Sequence, residues 1–402
     1  MDKKVYMDYA ATTYTKPEVL QEMIPYFTEN FGNPSSLYSM SDIPRKAIDE
    51  ARDRVAKAIN AEKNEIFFTA GGSESDNWIL KGIAFANKNK GNHIITTRIE
   101  HHAVIHACEF LEKNGFEVTY LGVDEYGIIS LEELEKAIKD TTILVSVMFG
   151  NNEVGAIQPI KEIGEICKKR KIYFHTDAVQ AIGHVNIDVK EMNIDALSMA
   201  AHKFYGPKGI GAMYLKKGVK IENLIHGGGQ ERGKRASTEN VPGIVGMGKA
   251  IELAVSDLDN EAKRLSYLRD KLINGLMKKI PYTKLNGPEG SKRLPGNANL
   301  SFIGIEGETI LLDLNDAGIF ASTGSACASG SLDPSHVLLS LGLPHEVAHG
   351  SLRLTLGSGT TEEDVNYALK VIPEIVARRR DMSPLWEDFI KSQNKGEKVE
   401  QL

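Results

Sequence analysis

Between about residue 60 and residue 215, short runs of β-branched and aromatic residues alternate with amphipathic stretches of helical period. Ile66-Phe67-Phe68, His93-Ile94-Ile95-Thr96, Val118-Thr119-Tyr120, Ile143-Leu144-Val145-Ser146-Val147 and Ile172-Tyr173-Phe174-His175 predict five strands. Ala196-Leu197-Ser198-Met199 and Gly211-Ala212-Met213-Tyr214-Leu215 predict two more, with the loop Gly206-Pro207-Lys208-Gly209 between them. Strands that alternate with helices need crossover connections, so the pattern predicts an α/β fold with a largely parallel sheet. Helix starts are marked by Ser130 with Glu133 and by Thr360 with Glu363, which match the capping box, and by Pro17 and Pro44 in first turns. A long charged helix is expected over 257–279. Beyond it, residues 280–402 predict fewer strands, two helical segments and a loop of very small residues over 322–331. The polar tail Ser392-Gln393-Asn394-Lys395-Gly396-Glu397 is expected to fray.

A chain of 402 residues exceeds what one core usually serves. Two domains are expected: a large one over 16–256 and a smaller α+β one built from 1–15 and 257–402. The formal net charge of -6 gives no support for nucleic-acid or anionic-membrane binding. No apolar run has the length to span a bilayer. Met1-Asp2-Lys3-Lys4-Val5-Tyr6-Met7-Asp8 carries no apolar stretch of the secretory kind, so a cytoplasmic location is expected. The 3 cysteines, Cys108, Cys167 and Cys327, show no CxxC spacing, which argues against a disulfide framework or a cysteine-rich zinc site. Cys108 and Cys167 lie in apolar helical patterns and read as small buried hydrophobes.

Ligands of α/β sheets bind where strands end and helices begin. Four such ends carry suitable polar residues. Gly71-Gly72-Ser73-Glu74-Ser75 follows the first strand; its glycines let backbone approach an anion, and Ser73 suits both a helix cap and a phosphate ligand. On this segment alone an ordinary glycine turn is the better reading, and no Walker-type ending is present. Glu100-His101-His102 places a histidine where it stacks on a flat ring or moves protons. Adjacent histidines diverge and no third ligand is evident, so metal is disfavoured. Thr176-Asp177-Ala178-Val179-Gln180 offers a carboxylate to keep a pyridine nitrogen protonated, with Gln180 as a donor to a ring oxygen; a plain helix cap is the alternative. In Ala201-His202-Lys203-Phe204-Tyr205-Gly206-Pro207-Lys208-Gly209, Lys203 follows a buried strand, where a crowded or desolvated amine becomes nucleophilic. A solvated loop lysine describes Lys208 better than Lys203.

These segments, with Asn151-Asn152-Glu153-Val154-Gly155 and Ser322-Thr323-Gly324-Ser325-Ala326-Cys327, resemble cysteine desulfurases of the NifS/IscS type in order and approximate spacing, from about residue 5 to residue 387. That family lies within the fold type I pyridoxal phosphate (PLP) enzymes. The resemblance implies a large domain with a mostly parallel seven-stranded sheet flanked by helices, the cofactor pyridoxal 5'-phosphate, and L-cysteine as substrate. It gives Lys203 the covalent attachment of the cofactor, Asp177 the pyridine nitrogen, Gln180 the ring oxygen and His101 the ring face with proton transfer. Gly72, Ser73 and His202 would grip the phosphate, and Asn152 would lie beside cofactor and substrate. Thr238 would reach a phosphate in the neighbouring subunit of a homodimer, and Arg353 would clamp the substrate carboxylate with its planar fork. Two departures stand out. Ala200-Ala201 replace the Ser-Gly that commonly precedes the His-Lys pair, removing one phosphate hydrogen bond worth about 1.5–3 kcal/mol. Tyr38 also stands where a histidine often follows the Gly32-Asn33-Pro34 turn.

Cys327 sits in a run of small residues, which suits a thiol that reaches the cofactor and then swings to an acceptor. It must act as a thiolate, with His101 a candidate base. The implied product is alanine plus a Cys327 persulfide, passed to an iron–sulfur scaffold or a tRNA-thiolation protein. Ser383-Pro384-Leu385-Trp386 is a candidate docking surface or simply a packed tryptophan. Competing readings are a selenocysteine lyase or aminotransferase using the same lysine, and a non-catalytic assembly scaffold.

Overall fold

The structure, a computed structural model, describes residues 3–323 and 334–394. Among them are twelve strands: β1 (Val5–Tyr6), β2 (Ile66–Thr69), β3 (His93–Thr97), β4 (Glu117–Leu121), β5 (Thr142–Ser146), β6 (Tyr173–Asp177), β7 (Ala196–Ala200), β8 (Gly211–Leu215), β9 (Thr283–Leu285), β10 (Asn297–Phe302), β11 (Ile319–Phe320) and β12 (Ser351–Thr355). Seven form one sheet in the order β2-β8-β7-β6-β5-β3-β4. The pairs among β3 to β7 are parallel, and β8 alone runs against its neighbours β2 and β7. All seven predicted strands are therefore present, in a mostly parallel sheet.

Burial on both faces explains why these strands read so clearly. Alternate residues enter opposite cores: Val145, Phe174, Leu197 and Tyr214 face one cluster, while Ile94, Leu144, Ala196 and Met213 face the other. The first is roofed by helices carrying Val55, Ile163 and Ile251, the second by helices carrying Trp78, Ile83 and Leu111. Cys167 and Cys108 fill space in these same two clusters, and burial pushes both thiols far above their ordinary range. β4, at the sheet edge, is the most exposed of the seven.

A third core gathers Leu265, Leu268, Leu272 and Leu276 of the Leu258–Lys279 helix against Leu300, Phe302, Leu352 and Leu354. Val5 and Met7 join it, and β1 pairs in parallel with β11. Antiparallel β12-β10-β9 forms the small sheet beneath.

Three expectations need correction. Among the described residues, the 280–394 stretch contains five α-helices rather than two segments: Gly307–Asp316, His336–Ser340, His345–His349, Glu362–Asp381 and Pro384–Asn394. Two have only 5 residues, too short for a 3.6-residue period to show. The Glu362–Asp381 helix is capped one residue later than expected, by Thr361 with Asp364. Thr360 is instead committed to a turn, its Oγ1 accepting the Gly357 N–H at 3.0 Å. Ser73 is not a cap either: the Gly72–Ala86 helix is capped by Gly71, and Ser73 lies exposed in its first turn. Packing dictates that early start. A Cβ on Gly72 would come within 2.7 Å of Val179 Cγ2, so only glycine lets the turn close against the segment after β6.

Candidate active site

β2 runs parallel to β7 across β8, so the ends of β2, β3, β5, β6 and β7 share one edge of the sheet. Asp177 is the last residue of β6, and its Oδ1 accepts the Val179 N–H at 2.9 Å. Burial raises its carboxyl to about 6, against the pull of that N–H and of Lys203. Lys203 ends the Ala201–Lys203 turn directly after β7. Its Nζ donates to the carbonyls of Ala10 at 2.5 Å and Ala11 at 2.8 Å. The lysine charge is felt by Asp177, His101 and His202, which places all three groups around one amine.

His101 caps the His102–Lys113 helix, with Nδ1 accepting the Ala103 N–H at 3.1 Å. A backbone N–H can only donate, so the neutral ring carries its proton on Nε2. Burial, with His102 and Lys203, holds the ring down to about 4 and keeps it neutral. In this arrangement His101 offers a proton at Nε2; taking one there requires the Ala103 bond to break or the tautomer to switch. His202 is held to about 4 by burial and the two lysines, with Nδ1 at 3.1 Å from Thr12 Oγ1.

Arg353 lies in β12, buried. One guanidinium nitrogen donates to Asp8 Oδ1 at 2.9 Å and another to the Asn152 carbonyl at 3.2 Å. Its Nε is buried with no acceptor among the described residues. A buried donor left unmade costs about 1–3 kcal/mol, so the site is built to receive a further acceptor. Thr238 lines a cleft with Thr69, Ala70, Gly209 and Arg235, beside the glycine turn of its own chain. Arg235 is fixed there by a two-pronged pair to Glu74, at 2.9 and 3.0 Å. Ala200 is buried at the same turn, 3.7 Å from where a Gly72 Cβ would stand. Cys327 lies outside the described residues.

Lys203, Asp177, His101 and His202 thus lie at one edge of the large sheet, with Ser73 at the glycine turn, Thr238 across the adjoining cleft and Arg353 on the small sheet. What sequence reasoning missed is the segment Asp8–Thr13. It supplies Asp8 to Arg353, the Ala10 carbonyl to both Lys203 and Gln180 Nε2 (3.0 Å), and Thr12 to His202. Its signal was faint: the small residues Ala10-Ala11-Thr12-Thr13 shortly after a two-residue strand. His102 stacks on His106 at 5.1 Å and lies 4.8 Å from His336, but among the described residues no group of three or more His, Cys, Asp or Glu side chains is placed to hold a metal ion.

A lysine amine, a buried carboxylate that feels its charge and an arginine with an open donor are thus linked through the Asp8–Ala11 stretch. The sequence profile of the aminotransferase class-V family matches residues 5–368, and the chain belongs to that family. It is 71% identical over 399 residues to a protein of Clostridium botulinum (strain Hall) named cysteine desulfurase IscS, covering 99% of this chain and 100% of that one. Among solved structures, a NifS-like protein superimposes with a TM-score of 0.88 at 42% identity, over 93% of this chain and 100% of that one. A structure titled SspA in complex with cysteine matches with a TM-score of 0.79 at 37% identity, over 88% and 99% of the two chains.

Proposed function

We propose that the protein is a cysteine desulfurase, holding pyridoxal 5'-phosphate on Lys203 and converting L-cysteine to L-alanine with transfer of the sulfur to Cys327. The observation that carries the reading is the Lys203 amine set beside buried Asp177, with Arg353 holding an unused donor. The donor set fits the cofactor: the Gly71-Gly72 turn, Ser73 and His202 for a phosphate, Asp177 for a ring nitrogen, Gln180 for a ring oxygen and His101 for a ring face. Bound there, the cofactor supplies an electron sink for the carbanion formed at the substrate Cα.

The chain's own residues do the rest. Asp177, ionised beside a cation, keeps the ring nitrogen protonated. Arg353 exchanges Asp8 for the substrate carboxylate and engages it through two parallel N–H donors, using the Nε that is otherwise unmatched. With the cofactor bound, the Lys203 amine would stand by the substrate Cα and move its proton. Asn152 stands next to this clamp through its carbonyl bond to Arg353. The Cys327 thiolate attacks the substrate sulfur, an S–S bond forms, the C–S bond breaks toward carbon, and protonation there yields alanine.

Thr238 completes the phosphate site of a neighbouring copy in a homodimer, and the chain divides into a large unit over 16–256 and a smaller one built from 1–15 and 257–402, the part of the sequence that includes Cys327. The acceptor of the sulfur is an iron–sulfur scaffold or a tRNA-thiolation protein, and the protein works in the cytoplasm; no described helix is long and apolar enough to cross a membrane. The test is incubation with L-cysteine, followed by an alanine assay and intact-mass analysis. Equal alanine from wild type and Cys327→Ser would refute the sulfur-transfer step.

A further inference from the structure

Three carboxyl groups share one buried polar region beneath the site. Asp76 comes from the Gly72–Ala86 helix, Glu100 from the turn after β3 and Asp177 from the end of β6, with relative exposures of 1%, 0% and 6%. Each of the first two feels the charge of Asp177, and Asp76 also feels that of Glu100. The other groups facing the region are His175 on β6, Ser146 on β5, Ser198 on β7, the Cys108 thiol and Lys203. His175 contributes no charge. Its two nitrogens lie 2.9 Å from Ser146 Oγ and 3.1 Å from Ser198 Oγ, and burial holds it down to about 3. Among the described residues, Lys203 is the one cation acting on any of the three carboxyls.

The hydrogen bonds are lopsided in a way that fits protonated acids. Glu100 Oε1 takes both available donors, Thr97 Oγ1 at 2.8 Å and the Met148 N–H at 2.9 Å. Glu100 Oε2 is buried without a partner among the described residues, and so is Asp76 Oδ1, which lies 3.6 Å from His175 Nε2; the Ser198 hydroxyl bonds to the Asp76 carboxyl, but its pull is outweighed by burial and the Asp177 charge. A bare carboxylate oxygen in such a place has nothing to solvate it, and like charges in one dry region cannot all ionise. Placing a proton on one acid removes the unmatched charge.

We propose that Asp76 and Glu100 are held as neutral carboxylic acids and act as positioning residues for Asp177, leaving Asp177 as the one buried carboxylate to face the cofactor's ring nitrogen. The last clause rests on the cofactor reading above; the protonation of the two acids does not. Burial raises Asp76 well above its ordinary value and Glu100 to about 8, in keeping with this division.

Infrared spectroscopy of the purified holoenzyme at pH 7 tests it. Protonated-carboxyl carbonyl bands are expected at pH 7, one lost in Asp76→Asn and another in Glu100→Gln; buried Glu153, raised by burial to about 7, adds a band that neither substitution removes. Carbon-13 aspartate in the unmutated protein assigns the Asp76 band even if the variant folds poorly. A pH titration of the cofactor's visible absorbance gives the second readout. Neutral Asn or Gln should move its midpoint by less than about 0.5, whereas loss of an ionised neighbour would lower it by about 1–3. Absence of the bands, or a drop of that size, overturns the proposal. A colourless protein with both bands would instead sink the cofactor reading and leave the protonation standing.

Discussion

Replacing Glu100 by Gln is expected to change how stability depends on pH more than stability at any single pH. Burial moves the carboxyl from its ordinary 4.5 to about 8. Between those values the native protein keeps a proton that the unfolded chain has lost. The contribution is therefore fully present below 4.5 and is lost as pH rises through about 8. The loss runs at about 1.4 kcal/mol per pH unit, or about 3 kcal/mol from pH 5 to pH 7, and levels off near about 5 kcal/mol. Gln does not titrate and lacks this slope. Its Oε1 retains the Thr97 and Met148 donors, while its amide group faces the place where Oε2 has no partner, an offset of about 1–3 kcal/mol that does not vary with pH. The variant should thus be less stable than wild type at pH 5 and more stable at pH 8. Urea unfolding of both proteins across this range, with the difference plotted against pH, measures it. A difference that stays flat would refute a buried neutral acid at this position.

Arg353→Lys keeps the charge but loses the two-pronged fork. KM for cysteine should rise about 10- to 100-fold while the cofactor spectrum is unchanged, read from steady-state kinetics and absorbance. Ala200→Ser adds a hydroxyl beside the glycine turn, so cofactor loss to a scavenger should slow by about 10-fold or more; an unchanged rate would mean that no phosphate lies there. Native protein treated with a thiol reagent should modify at Cys327 only, because Cys108 and Cys167 are fully buried with strongly raised thiols. Peptide mapping checks this, and labelling of either buried cysteine before unfolding would contradict the packing.

The large sheet was legible because its inner strands are buried on both faces and so spell continuous β-branched runs. β10 was not: Asn297, Asn299 and Ser301 alternate with its apolar residues, but Asn and Ser are turn formers and mask the strand period. They are buried because each finds a partner: Asn297 and Asn299 donate to the Glu153 carbonyl, and Asn286 donates to Asn299 and Ser301. Lys203, Asp177 and His101 were legible since strand ends are where α/β sheets place chemistry. Asp8 and the Ala10 carbonyl were not, for their roles depend on contacts with Arg353 and Lys203, 345 and 193 residues further on, which no local pattern encodes. The protonated acids were hidden for a similar reason. Asp76 reads as an ordinary polar helix position until Asp177 and Glu100 are seen to share its surroundings.

A covalent bond between Lys203 and the cofactor aldehyde underlies every step of the proposed function. Borohydride reduction of the purified protein, followed by digestion and mass spectrometry, should find the pyridoxyl phosphate label on the peptide containing Lys203. A label on Lys208 or any other lysine, or no label at all, would contradict it.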